Sequence, residues 1–138
     1  MIATEYISIE SRGFRDVLDL TPEIRRALEN HDVSNGIVTV FAPGSTAGIT
    51  TVEFETGLKK DLDVYLEKLF PYGDPYAHHE TWHDDNGSSH LQAALIGPSV
   101  TIPVVDGELT LGTWQQVVLV DCDTRSRSRK IIIQMLHE

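Results

Sequence analysis

The sequence predicts an α+β fold: one compact domain spanning residues 1–138, built of packed, largely antiparallel β-sheets with two or three helices. Three observations point there. Segments rich in β-branched and aromatic residues outnumber those with helical periodicity. The two kinds do not alternate strictly, as βαβ units would. From Val100 onward the chain is a succession of short extended segments divided by turn residues, including Asp106-Gly107. A length of 138 residues, with 41% apolar and 23% charged residues, suits a single domain, which at this size buries roughly 70% of its unfolded surface.

The elements follow in order. Ile2 to Ile9 reads as a strand, and Arg12 to Leu20 as a second. Thr21-Pro22-Glu23 supplies an N-cap, a proline for the first turn and an acid, so a helix runs to about Glu29 with Ile24, Ala27 and Leu28 on its buried face. Ile37 to Phe41 lacks polar alternation and is expected to be a central, buried strand. A further strand covers Ile49 to Phe54. From Thr56 to Phe70, Leu58, Leu62, Tyr65, Leu66, Leu69 and Phe70 form a helical stripe. Pro71 to Asp85 is expected to be irregular. Ser88 or Ser89 then caps a short helix from His90 to Ile96, stopped by Gly97-Pro98. Strands at Val100–Val105, Leu109–Leu111, Trp114–Val120 and Lys130–Leu136 complete the chain.

Composition narrows the partners. A formal charge of -10, from 21 acidic against 11 basic residues, disfavours nucleic acid and anionic membrane surfaces. No apolar run approaches the roughly 20 residues that span a bilayer. Cys122 stands alone, so no internal disulfide forms, and the start of the chain lacks the pattern of a secretory signal; a cytoplasmic location is expected. Its flanking aspartates raise the thiol's proton affinity and argue against a nucleophile.

The chemistry concentrates in His78-His79-Glu80-Thr81-Trp82-His83-Asp84-Asp85-Asn86-Gly87-Ser88-Ser89-His90, which holds four of the six histidines. His79-Glu80-x-x-His83 has the spacing of zinc proteases, but that motif needs a stable helix. Here Pro75 precedes it and Asp84-Asp85-Asn86-Gly87 follows. A looser site remains open, in which His78 or His83, Asp84 or Asp85, and His90 converge on a metal; the plainer alternative is an exposed loop with Asp85 or Asn86 as a cap. Trp114 reads either as core or as a stacking platform. Gln115, beside a buried tryptophan, would need partners that a substrate could supply. Arg125, Arg127 and Arg129 alternate with serine, so on an extended chain they share one side. They form either a solvated tip or a phosphate-capturing spot.

Ser99 to Gln115, reading Ser-Val-Thr-Ile-Pro-Val-Val-Asp-Gly-Glu-Leu-Thr-Leu-Gly-Thr-Trp-Gln, closely resembles the signature of the YjbQ-like family, also called the secondary thiamine-phosphate synthase family. The likeness extends to Tyr76-Ala77-His78, Asp84-Asp85-Asn86, His90, Leu95-Ile96-Gly97, Arg127 to Ile132, Ser45-Thr46-Ala47 and Glu53. It implies a homotrimer with a polar, histidine-lined pocket and a weak or secondary activity that joins phosphorylated pyrimidine and thiazole halves and releases pyrophosphate. By position it implies His78, Asp85, His90 and Glu53 as catalytic residues. Asn86, Trp114, Gln115, Arg125, Arg127 and Arg129 would hold a small phosphorylated substrate. His78, Asp85 and His90, with His79 or His83, are the expected ligands of a divalent metal, magnesium or zinc. The chain departs from the family in two places: Gly44 stands where a histidine is usual, and Val52 where an asparagine is usual. The rival expectations are a metal-dependent hydrolase of a small phosphate or amide substrate, and a noncatalytic ligand-binding trimer.

Overall fold

The computed structural model describes residues 1–138. In chain order the elements are β1 (Ile2–Ser11), β2 (Asp16–Asp19), α1 (Thr21–Asn30), β3 (Gly36–Phe41), β4 (Ala47–Glu53), α2 (Thr56–Leu69), α3 (Ala77–Trp82), α4 (Gly87–Ile96), β5 (Ser99–Val105), β6 (Glu108–Leu109), β7 (Gln115–Asp121) and β8 (Arg127–His137). They form a five-stranded sheet, β1-β8-β3-β5-β6, and a three-stranded sheet, β2-β7-β4, in which every ladder is antiparallel. The α+β class is as expected, with four helices rather than two or three.

The main core lies between the sheets. Val38, Val40, Ile102, Val104, Ile131, Ile133 and Met135 from the larger sheet meet Ile49, Val117 and Leu119 from the smaller one, together with Ile24, Ala27 and Leu28 of α1. Each fully buried aliphatic side chain of this kind contributes roughly 1.5–3 kcal/mol. β7 is buried on both faces. Val117 and Leu119 point into the main core, while Val118, Val120 and the adjoining Cys122 join Val17 and Leu66 in a second cluster beneath α2 and α4. This explains why its sequence is an unbroken apolar run. Burial pushes the Cys122 thiol up to about 12, which leaves it inert.

Local reasons explain where the elements differ from expectation. The segment from Arg12 to Leu20 is not one strand, because Gly13, Phe14 and Arg15 take φ of 76°, 47° and 68° and turn the chain. The turn is held where Phe14 N–H donates to Asp123 O at 2.7 Å and Arg15 N–H to Asp121 O at 2.6 Å. Thr21 does not cap α1: its Oγ1 accepts from Val117 N–H at 2.8 Å, and Asp19 Oδ1 accepts from Thr21 N–H at 2.9 Å. β3 is central in its sheet but covered on one face only, so Ile37 and Phe41 are each 39% exposed.

The two sheets are tied together at one end by charge. Arg129 of β8 is buried and donates from Nε to Asp121 Oδ2 at 2.8 Å and from Nη2 to Asp121 Oδ1 at 2.9 Å. Asp121, at the end of β7, is fully buried and also accepts from Ser11 Oγ at 2.5 Å. These donors hold its carboxyl below the usual carboxylate range although burial alone would raise it. Replacing Asp121 with alanine strands a buried guanidinium. The expected loss is about 3–5 kcal/mol of unfolding free energy, read as a lower urea midpoint with an unchanged slope.

Candidate functional site

The histidine-rich stretch does not remain irregular. Ala77 to Trp82 winds into α3, and His83 ends it with φ 55° and ψ 36°, its N–H donating to His79 O at 2.7 Å. That left-handed residue swings the chain away after a turn and a half, so the protease-like spacing never becomes two imidazoles on one helix face. His83 is exposed. His79 turns inward, and its Nε2 accepts from Gly87 N–H at 2.9 Å, occupying one of the free donors at the start of α4. Neither Ser88 nor Ser89 caps that helix; both are buried in its first turn. Gly87 is required there because a Cβ would come within 2.6 Å of Tyr76 Cβ. Gln92 anchors the far side of α4, donating to Leu66 O at 3.3 Å and to Phe70 O at 3.0 Å at the C-terminus of α2.

Two histidines do converge. The rings of His78, on α3, and His90, in the first turn of α4, lie 4.4 Å apart between centroids at an angle of 58°. Asn86 bridges to Asp84: a carboxylate only accepts, so the amide nitrogen faces it and donates at 3.0 Å. The same nitrogen lies 3.2 Å from His78 Nε2. His90 is half-buried, and burial followed by the neighbouring His78 lowers its pKa, while Asp84 and Asp123 partly oppose this. Beyond His90 opens a cleft of about 450 Å³ whose lining includes Gly44, Ser45, Ala47, Leu91 and Pro98. Of the four clustered histidines, His90 is the one that adjoins Gly44.

The other expected site residues are spoken for or stand apart. Asp85 accepts from Tyr72 Oη at 2.7 Å and from Thr124 Oγ1 at 3.0 Å, and the tyrosine bond chiefly holds its carboxyl below the usual range. It fastens a loop rather than facing the histidines. Glu53 ends β4 opposite Gln115, and its exposed carboxylate has no partner. Trp114 is not core, being 73% exposed, and it does not line the cleft beside His90. The Gln115 amide needs no substrate, since its Nε2 donates to Thr51 Oγ1 and its Oε1 accepts from Gly112 N–H, each at 3.0 Å. Arg127 and Arg129 share a side of β8, both turned to Asp123, and Arg125 does not join them. Arg125 precedes β8 and is exposed, Arg127 Nη1 donates to Asp123 Oδ2 at 3.0 Å, and Arg129 is buried against Asp121.

The donors expected to hold a divalent metal do not assemble: no three His, Cys, Asp or Glu side chains are disposed to hold an ion. Asp85 is turned to Tyr72 and Thr124, His79 Nε2 is occupied by Gly87, and Asp84 lies 3.7 Å from His78 without a third ligand. A second concavity, of about 470 Å³, adjoins the Gly13–Arg15 turn and α2 and shares no residue with the histidine cluster. Its arginines are already paired, Arg12 with Asp16 and Arg15 with Asp63 and Glu67. Sequence reasoning missed Tyr72, Thr46, Asp123 and Thr124. The alternation Asp121-x-Asp123 facing Arg127-x-Arg129 was the available signal, since opposite charges at period two on neighbouring segments pair.

A two-sheet antiparallel α+β domain that carries a paired-histidine cleft on its helical face is the class these features define. The chain belongs to the UPF0047 YjbQ-like family, whose description, "UPF0047 protein YjbQ-like", matches residues 5–138. A UPF0047 protein of Archaeoglobus fulgidus is 38% identical over 121 residues, covering 88% of this chain and 91% of the relative. The UPF0047 protein YugU of Bacillus subtilis is 28% identical over 137 residues, covering 99% of each. Among solved structures, a hypothetical protein from Aeropyrum pernix K1 superposes with a TM-score of 0.92 at 32% identity and 99% coverage of both chains. No helix of the chain is long and apolar enough to cross a membrane.

The depressed pKa of His90 gives stability a sign. As pH falls below about 6.5, the unfolded chain takes up a proton that folded His90 resists. Stability present above that pH is therefore lost as pH falls through the folded value. Urea midpoints between about pH 7.5 and 5 should decline less steeply in His90→Gln than in the parent protein. Parallel declines would show that His90 does not contribute.

Proposed function

We propose that the cleft between α3, α4 and Gly44 binds a small phosphorylated substrate and that the protein is a thiamine-phosphate synthase-like transferase, joining phosphorylated pyrimidine and thiazole halves. The observation that supports this reading is the His78–His90 pair, half-buried at the start of a helix and bordering a cleft. In such a transfer the C–O bond to pyrophosphate breaks and a C–N bond to the thiazole nitrogen forms. The nitrogen carries no proton, so the demand for proton and charge falls on the departing pyrophosphate oxygen. His90, whose proton affinity burial and His78 lower, gains proton affinity when an anion arrives and can then donate to that oxygen. His78, steadied by Asn86, relays or compensates the charge. His90→Ala should lower product formation from the two phosphorylated halves by about 10²-fold or more while leaving the far-UV spectrum unchanged; undiminished turnover would sink the reading.

The proposal includes assembly as a homotrimer in the cytoplasm. Assembly is supported by the outer face of the five-stranded sheet. Ile2, Leu136 and Ile37 form one row and Tyr6, Ile132 and Phe41 another. Between them Thr4, Gln134, Thr39 and Thr101 bond one another in pairs. In a chain of charge -10 these rows carry no charge, and Lys130 stands only at the border, over Tyr6. Faces of this kind are covered in stable assemblies. Ile37→Glu should convert the assembly to monomers in light scattering; a parent protein that is already monomeric would overturn this part.

A further inference from the structure

Arg129 is held on one edge and open on the other. Nε and Nη2 bond Asp121, and Nη2 also donates to Thr46 Oγ1 at 2.8 Å. Nη1 has no hydrogen-bond partner, although the residue is only 5% exposed, and it is not among the polar atoms sealed from solvent. Gly44 defines what lies in front of it. A Cβ built on Gly44 would sit 3.2 Å from Nη1 and meet no other atom within 4 Å. The bare backbone at 44 therefore leaves open the space beside a buried cation that any side chain would fill.

That space adjoins two further features. Gly44 shares its cleft with His90, which lies in the first turn of α4. The Ser88 and Ser89 N–H groups of that turn find no acceptor, and Ser89 Oγ is buried without a partner. A helix start with free donors favours negative charge. Apart from Ser45, the rest of the cleft is apolar, formed by Ala47, Leu91, Ala93, Ala94 and Pro98. Arg129 Nη1 lies behind Gly44 and the free N–H groups of α4 lie beside His90, so donors flank a cleft whose apolar wall offers nothing to a second charged group.

We infer that Arg129 Nη1, reached over Gly44, is the phosphate-recognising group of this cleft, with His90 as the second contact and the ligand's compact apolar ring against Ala47, Leu91 and Ala94. The ligand class is a phosphate monoester of an aromatic or similarly flat body. This rests on the reading that the substrate is phosphorylated and adds which end of it goes where. Gly44 becomes a determinant of specificity, because a side chain there would cover the arginine.

The test is titration of the full chain with phenyl phosphate, inorganic phosphate and benzoate, followed by NMR of the Arg129 guanidinium. Phenyl phosphate should move the Nη1 proton resonances and bind about tenfold more tightly than either of the others. Gly44→Ala should weaken it about tenfold or more; its φ of 113° strains any side chain, so the melting temperature is recorded alongside. Leu91→Ser, at a 41% exposed position, gives an arm free of that strain and should weaken phenyl phosphate but not inorganic phosphate. Binding of phenyl phosphate with the Arg129 resonances unmoved overturns the inference, as does equal binding of benzoate. If Arg129 responds yet no product forms from the two halves, only the transferase reading falls. If turnover proceeds with Arg129 silent, only this inference falls.

Discussion

The buried pair between Arg129 and Asp121 is the constraint on which the functional end of the molecule depends. Two charges taken out of water are tolerated only when their donors and acceptors are met almost completely. Here the carboxylate receives two bonds from the guanidinium and one from Ser11 Oγ, and its Oδ1 also accepts from Asp123 N–H at 3.1 Å. The cost of leaving this cluster incomplete fixes where four segments lie. β1 contributes Ser11, β7 ends at Asp121, β8 enters with Arg127 and Arg129, and the approach to β4 contributes Thr46, whose Oγ1 also donates to Asp123 Oδ2 at 3.0 Å. One polar cluster thereby locks the larger sheet to the smaller where the hydrophobic core gives out.

From that lock the order propagates outward by hydrogen bonds. Asp123 accepts from Thr124 N–H at 2.7 Å, Thr124 Oγ1 donates to Asp85, and Tyr72 closes on the same carboxylate. Phe14, in the left-handed turn beside Asp121 and Asp123, packs its ring edge against Tyr72 at 5.6 Å. The loop between α3 and α4 is thus pinned at Asp85, directly ahead of the helix that carries His90. The clustered histidines take different roles because their partners differ. His79 gives its lone pair to a backbone N–H and becomes part of the scaffold. His83 terminates a helix, and His78 and His90 are left facing each other.

Most of the architecture was legible because it rests on periodicity, which acts locally. The stripe of α2, the buried face of α1 and the strand run of β7 all follow from side-chain spacing and residue type, whereas the burial expected of both faces of β3 falls instead to β7. What was not legible depends on contacts between distant residues. Nothing near Ala77 shows that a six-residue helix can persist there; it is stabilised by packing of Tyr76 on Gly87 and by the bond between His79 and Gly87, eight residues on. The resemblance located His78, Asn86 and His90 correctly as neighbours. It also named Asp85 and Gln115, whose polar groups are taken up by Tyr72, Thr124, Thr51 and Gly112. Glu53 and Trp114, named with them, are exposed and do not line the cleft beside His90. Residue type marked them as polar or aromatic, but only the fold shows whether that capacity is already used.

The arginine run shows the difference most sharply, because residue type and alternation suggested three equivalent cations. They are distinguished by the two aspartates across the β7–β8 connection, which neutralise Arg127 and Arg129 and leave Arg125 to solvent. Neutralisation does not exhaust Arg129, however. A guanidinium is planar and carries donors on three nitrogens, so the edge formed by Nε and Nη2 can hold a carboxylate while Nη1 faces another way. A lysine could not serve both purposes, since its single ammonium would have to choose between Asp121 and a ligand. Structural and ligand-facing roles therefore coincide in one side chain without competing. The feature that separates them is not the arginine but Gly44, whose missing side chain leaves the free nitrogen uncovered.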